Sequence, residues 1–201
     1  MGFCKDKKGD EGLEFSPEEE SKQKDKSIEK TIKEYAVSII VCVIIALIIK
    51  TFVIARADVD GWSMYPTLKN EDVLFINRVS SIKKNYKRGE IVIFDSHNKE
   101  DDIYIKRIIA VAGDEIEIRD GKVYLNGEEL EEEYLDHDSK TEPGFFMKNK
   151  KKYKVPEGHI FVMGDNREGS EDSRNFGPVS LEQVQGKAFI RLFPVKEFKI
   201  F

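Results

Sequence analysis

Only one stretch of this 201-residue chain is long and apolar enough to dictate its surroundings: Tyr35 to Ile49 is nearly all aliphatic, Lys50 interrupts it, and Thr51 to Ala55 resumes it. Drawn as a single helix at about 1.5 Å per residue, it spans roughly 31 Å, close to a hydrocarbon core of about 30 Å. The expectation is one N-terminal transmembrane helix over 35–55, between a polar tail, 1–34, and a globular domain, 56–201. A few residues past the run comes Gly61-Trp62-Ser63-Met64-Tyr65-Pro66-Thr67-Leu68. Whatever Ser63 does, it does near a membrane surface. The tail is rich in charge and reads as mostly disordered, turning helical near the membrane. The run starts too far along and is too long for an ordinary cleaved leader, although Ala55-Arg56-Ala57 fits a small-x-small cleavage pattern. An uncleaved anchor is the better reading. Lys22, Lys24, Lys26, Lys30 and Lys33 precede the run closely and only Arg56 and Lys69 follow soon after. That asymmetry puts the N-terminus in the cytoplasm and the domain outside the cell membrane.

Composition narrows the chemistry. The formal charge of −5 mixes both signs throughout, with no basic patch interleaved with aromatics, so nucleic acid is set aside. Cys4 lies in the tail and Cys42 in the apolar run. The domain therefore holds no disulfide, no cysteine nucleophile and no thiolate metal site.

From Val73 onward, short β-rich runs alternate with turn chemistry. Val73–Ile76, Ile91–Phe94, Tyr104–Val111, His159–Met163 and Lys187–Phe193 read as strands. Glu115–Leu125 reads as a hairpin, alternating on both sides of Asp120-Gly121. A mainly β, antiparallel, barrel-like domain follows. Between them, 126–152 is charged and poor in apolar residues, a solvated insertion or cap to which no chemistry is assigned.

His97, His137 and His159 form no metal pair at helical spacing, and structural roles suit all three. The polar segment Gly164–Pro178 fails the calcium-loop pattern, because Arg167 and Gly169 fall where oxygen ligands are needed. Its enclosure between apolar strands points to an organised, partly buried loop. Lys106 lies inside Tyr104-Ile105-Lys106-Arg107-Ile108-Ile109, so at least one of two adjacent basic residues leans toward apolar surroundings. Spacing alone leaves open whether Lys106 is wet or desolvated into a neutral base. A serine before Met-Tyr-Pro-Thr also fits a cap on a helical turn.

Taken together, these residues resemble the type I signal peptidase family in its Gram-positive, single-anchor form. Four blocks carry the resemblance in the family's order: Gly61 to Leu68, Arg88 to Phe94, Tyr104 to Asp114, and Gly164 to Val179. The resemblance implies a membrane-bound serine endopeptidase with Ser63 as nucleophile and Lys106 as general base, needing no cofactor. It implies that Ser170 orients the lysine amine, that Asp172 and Arg174 brace the loop as an ion pair, and that Asp165 and Arg167 belong to the same block. Tyr104 then lines the surroundings of the lysine, and Met64 helps to desolvate it. Gly61 and the Ser63 amide belong to the oxyanion region. Two positions depart from the pattern. Some relatives carry a serine where this chain has Gly61, and the family usually has asparagine where Gly169 stands.

The implied partners are signal peptides of exported preproteins, the lipid bilayer and, by proximity, the secretion translocon. The substrate is expected to lie as an extended strand near Asp58–Gly61 and Asp102–Lys106, presenting an A-x-A-like site, with Trp62 at headgroup level. A self-cleaving repressor, a non-catalytic relative and a plain tethered binding domain were weighed against this reading. The first lacks support without a DNA-binding region, the second would lack the dyad, and the third leaves the blocks unexplained.

Overall fold

The computed structural model describes residues 17–96 and 102–201, so His97 lies outside the described residues, as does the first part of the tail. Two compact units divide at Leu47 and Ile48.

In the first unit, α1 runs from Pro17 to Ile48. Helix formation therefore starts well inside the expected tail, where Glu, Lys and Gln dominate and Glu18–Lys22 and Glu20–Lys24 stand at i,i+4 spacing. Its apolar part leaves Tyr35, Ile39, Ile40, Ile44 and Leu47 exposed. The single helix expected over 35–55 is corrected in its extent, and among the described residues no helix is long and apolar enough to cross a membrane. The apolar run is divided among three conformations, because α1 ends at Ile48, Ile49–Val53 is a π-helical turn and Ile54 opens a strand. Only Tyr35–Ile48 of the run is α-helical, about 21 Å at the helical rise.

The described residues of the second unit carry twelve strands. In chain order they are β1 (Ile54–Asp58), β2 (Val73–Asn77), β3 (Ile91–Asp95), β4 (Ile103–Val111), β5 (Glu115–Arg119) and β6 (Lys122–Leu125). There follow β7 (Glu128–Glu129), β8 (Tyr153–Lys154), β9 (His159–Met163), β10 (Val179–Ser180), β11 (Val184–Phe193) and β12 (Lys199–Ile200). Two short helices interrupt them, α2 (Val79–Lys83) and α3 (Ser173–Phe176). All strand pairs are antiparallel, as expected.

The barrel expectation is corrected as well. The main sheet is open, in the order β1-β2-β11-β3-β4-β9-β10 with β12 on β11, and a second sheet is ordered β7-β6-β5-β8. Closure would require β1 to meet β10, and each instead ends the sheet. The Asp120-Gly121 hairpin forms as read, with both residues at positive φ and Arg119 opposite Lys122.

β3 shows how the sheet carries core on both faces. Ile91 and Ile93 pack with Met64, Leu68, Leu74 and Ile76, whereas Val92 and Phe94 pack with Ile108, Ile160 and Val162. Successive side chains of a strand point to opposite faces, so one central strand serves two clusters. A third cluster joins β5 and β6 to β9 through Ile116, Ile118, Val123 and Phe161. Met147 belongs to it and Thr141 is also buried, so part of the 126–152 insertion is built into the domain rather than solvated.

Candidate active site

Ser63 sits in the turn that follows β1. Gly61 enters that turn at φ +95°, which a side chain would resist, and its amide donates to Asn70 Oδ1 at 2.8 Å. Beyond the serine, Leu68 N donates to Met64 O at 2.8 Å, and both side chains are buried in the core. The turn is thereby held from both ends.

Lys106 reaches the same point from β4. Its Nζ donates to Ser63 Oγ at 2.9 Å and to Ile105 O at 3.1 Å, and it lies 4.9 Å from the centre of the Tyr104 ring. The residue is 4 % exposed. Burial pulls its pKa down to about 8, opposed by the carboxylates of Asp172, Glu171 and Asp165. Both of the two adjacent basic residues are buried. Arg107 is held by Asp165 in a bidentate pair (2.8 and 2.6 Å) and also donates to Gly89 O and Thr67 Oγ1.

Strand register brings the third segment in. β9 pairs with β4 only from Arg107, opposite Met163, so the loop that starts at Gly164 leaves the sheet beside Lys106. A Cβ at Gly164 would lie 2.3 Å from Ser170 Oγ and 2.4 Å from the Ser63 carbonyl oxygen, so only glycine permits this approach. Asn166 then ties the loop to the serine turn, its amide donating to Ser63 O at 3.0 Å and its side chain to Trp62 O at 3.1 Å. Gly169 packs on Asn166, whose side-chain nitrogen would lie 2.7 Å from an added Cβ.

Asp172 and Arg174 form the expected buried pair, Nε–Oδ1 and Nη2–Oδ2 both at 2.8 Å. Asp172 also accepts from the Gly164 amide at 3.0 Å. Asp165 and Arg167 do not pair with each other: Asp165 takes Arg107, and Arg167 takes Glu132. The Ser170 hydroxyl oxygen is buried beside this junction but has no hydrogen-bond partner among the described residues, so the bond to Lys106 that the resemblance implies is not made here.

Ser63 and Lys106 open onto a cleft of about 1000 Å³, bordered by Ala55–Asp60 on one side and Asp102–Ile105 on the other, with Ile76 and Ile93 among its lining. Among the described residues no histidine lines it. Both borders are sheet edges. Among the described residues β1 pairs only with β2, and the first half of β4 only with β3. Burial and neighbours leave a hydroxyl and an amine of lowered basicity in contact at the foot of an open groove, a constellation suited to acyl transfer.

Reading the residues in order missed Asn70, Asn166, Glu132 and Thr141. Asn166 stood inside a quoted block and was legible there. The others act through tertiary partners, and no local pattern marks them.

A family model described as "Signal peptidase, peptidase S26" matches residues 32–193. The signal peptidase IB of Staphylococcus aureus (strain COL) is 36 % identical over 163 residues, covering 76 % of this chain and 84 % of that protein. The signal peptidase I of Bacillus caldolyticus is 37 % identical over 157 residues, covering 75 % and 85 %. A solved signal peptidase I from Enterococcus faecalis V583 aligns over 51 % of this chain and 96 % of its own, at 30 % identity and a TM-score of 0.41.

Proposed function

The chain belongs to the signal peptidase family, peptidase S26, as an enzyme of the signal peptidase I type, and from that premise we propose that it removes signal peptides from exported preproteins with a Ser63–Lys106 dyad. The observation that carries the dyad is the 2.9 Å contact between the two side chains at a buried lysine. In the proposed cycle neutral Lys106 takes the proton of Ser63 as Oγ attacks the scissile carbonyl. The ammonium so formed protonates the leaving amine as the C–N bond breaks. Water, activated by the same amine, then adds to the acyl ester and releases Ser63.

Oxyanion stabilisation falls to the Ser63 amide. Gly61 has no hydroxyl to offer, and its own amide is already committed to Asn70. The substrate strand is proposed to lie between the free edges of β1 and β4, with alternate side chains entering the cleft and small residues at the A-x-A positions. The exposed apolar side chains of Tyr35–Leu47 are proposed to contact lipid, with the lysine-rich N-terminus in the cytoplasm and the β domain outside. Cleavage would then follow preprotein export, near the translocon.

The test uses full-length protein in detergent and a preprotein with an A-x-A site. Wild type is expected to release the leader, while Ser63→Ala and Lys106→Ala lose cleavage by at least about a thousandfold. Cleavage by both variants at the wild-type rate would sink the mechanism; cleavage by Lys106→Ala alone would remove the lysine from it.

A further inference from the structure

We propose that the 126–152 insertion is a positioning clamp for the Gly164–Arg174 loop, and that Glu132 is the positioning residue through which it acts. The inference rests on the Ser63–Lys106 reading above. The Glu132 carboxylate accepts from both terminal nitrogens of Arg167, Nη1–Oε2 at 3.0 Å and Nη2–Oε1 at 2.5 Å, with Arg167 fully buried and Glu132 nearly so. Thr141 Oγ1 accepts a further bond from Arg167 Nη1. The remaining edge of the guanidinium faces inward, where Nε donates to Gly164 O at 3.0 Å. Gly164 is the residue squeezed between the Ser63 carbonyl and Ser170 Oγ. One fork of charge-assisted bonds therefore links an acidic run on the insertion to the backbone that touches the nucleophile.

Two neighbouring contacts make this a clamp rather than a single pair. Tyr134 donates to Glu132 Oε1 at 2.7 Å and lays its ring under the Arg107 guanidinium, 4.0 Å away, and Arg107 holds Asp165 of the same loop. On the other side, the amides of Phe146 and Met147 donate to Arg174 O at 2.9 and 2.8 Å. The insertion thus grips the loop at both of its arginines. A buried ion pair adds little stability over a well-packed apolar substitute, whereas a bidentate fork fixes direction closely. Direction is what a loop lying on the nucleophile requires. Glu132 is not among the carboxylates that act on the Lys106 amine, which are Asp172, Glu171 and Asp165. Its effect is on geometry, not on the basicity of the amine.

The experiment compares wild type, Glu132→Gln and Thr141→Val as full-length protein in detergent, using a peptide with an A-x-A site. Amide hydrogen exchange is followed at Asn166, whose amide bonds to Ser63 O, and, as a reference for opening of the whole sheet, at Ile93 in the central strand β3. Glu132→Gln is expected to lower kcat about ten- to a hundredfold with KM within about twofold, the range for a misplaced catalytic group. The pH midpoint should stay in place, and exchange should rise at least about tenfold at Asn166 but not at Ile93. Thr141→Val, which spares the ion pair, should move the same readouts by about three- to tenfold. A full kcat in folded Glu132→Gln, a loss confined to KM, or a displaced pH midpoint overturns the inference. If Glu132→Gln raises exchange at both sites, Thr141→Val decides, and its unchanged kcat and Asn166 exchange overturn the clamp. If wild type fails to cut the peptide, the functional reading fails, and Asn166 exchange alone still decides the clamp.

Discussion

The two faces of one strand, β4, treat neighbouring cations in opposite ways. Lys106 and Arg107 are 4 % and 8 % exposed. Arg107 is given a matched carboxylate, Asp165, whose side chain is fully buried, and its other donors reach a carbonyl and a hydroxyl. Lys106 is given a hydroxyl and a carbonyl as its hydrogen-bond partners, with carboxylates acting only across space. Both partners of the lysine are neutral, so burial dominates and the proton is loosened. The difference teaches that burial by itself does not make a base; burial without a contacting counter-charge does. An ion pair on one side of the strand and an amine of lowered basicity on the other are set by which partner the fold supplies.

The largest break in this contrast comes from making the lysine behave like its neighbour. Arginine stays charged at any working pH, so Lys106→Arg is expected to lose about ten-thousandfold in kcat/KM, at the upper end of what a positioned base supplies. Wild-type activity, with chemistry limiting, should rise about tenfold per pH unit up to the Lys106 value of about 8 and then level off. Initial rates on an A-x-A peptide between roughly pH 6 and 9 measure both. A flat wild-type profile would contradict the role given to the lysine.

The next largest effect removes the counter-charge logic on the other face. Arg107→Met strands the buried Asp165 carboxylate and is expected to destabilise the domain by about 3–5 kcal/mol. Adding Asp165→Asn should return part of that loss, because the stranded charge is then gone. Urea unfolding of the two variants is the check. Equal stability of Arg107→Met and wild type would show that the pair is not structural.

How much of this was legible before the coordinates differs from residue to residue. The strands and the Asp120-Gly121 hairpin could be read because alternation and turn residues are local signals. Ser63 and Lys106 are singled out by the resemblance of the short blocks around each, since spacing alone leaves their roles open. Sheet order is not local, so an open sheet ending at β1 and β10 was mistaken for a barrel. In the apolar run, hydropathy does not record that Ile54 and Ala55 are claimed by pairing with Asn77 and Ile76 of β2. Glu132 looked like one acid among many in a charged run. Its meaning lies in Arg167, thirty-five residues away, and only the fold brings the two together.

The smallest effect sharpens the comparison most, because its sign is opposite on the two faces. The Lys106 value of about 8 lies well under the roughly 10.4 expected of an unfolded chain, a gap of about 3 kcal/mol at full extent. Between those values the unfolded state binds more protons than the native state, so native stability rises with pH across that window. Below about pH 8 the whole penalty stands. Lys106→Met keeps a long flexible side chain and discards the charge, so it should raise stability by about 1–3 kcal/mol at pH 7, against the loss expected for Arg107→Met. The advantage over wild type should shrink as pH climbs from about 8 to about 10.5, whereas the Arg107→Met loss should not follow that window. Urea unfolding at the two ends of the range separates them. An advantage for Lys106→Met that is the same at both ends would trace it to packing, and the lysine would no longer be a charge that the fold holds unpaired.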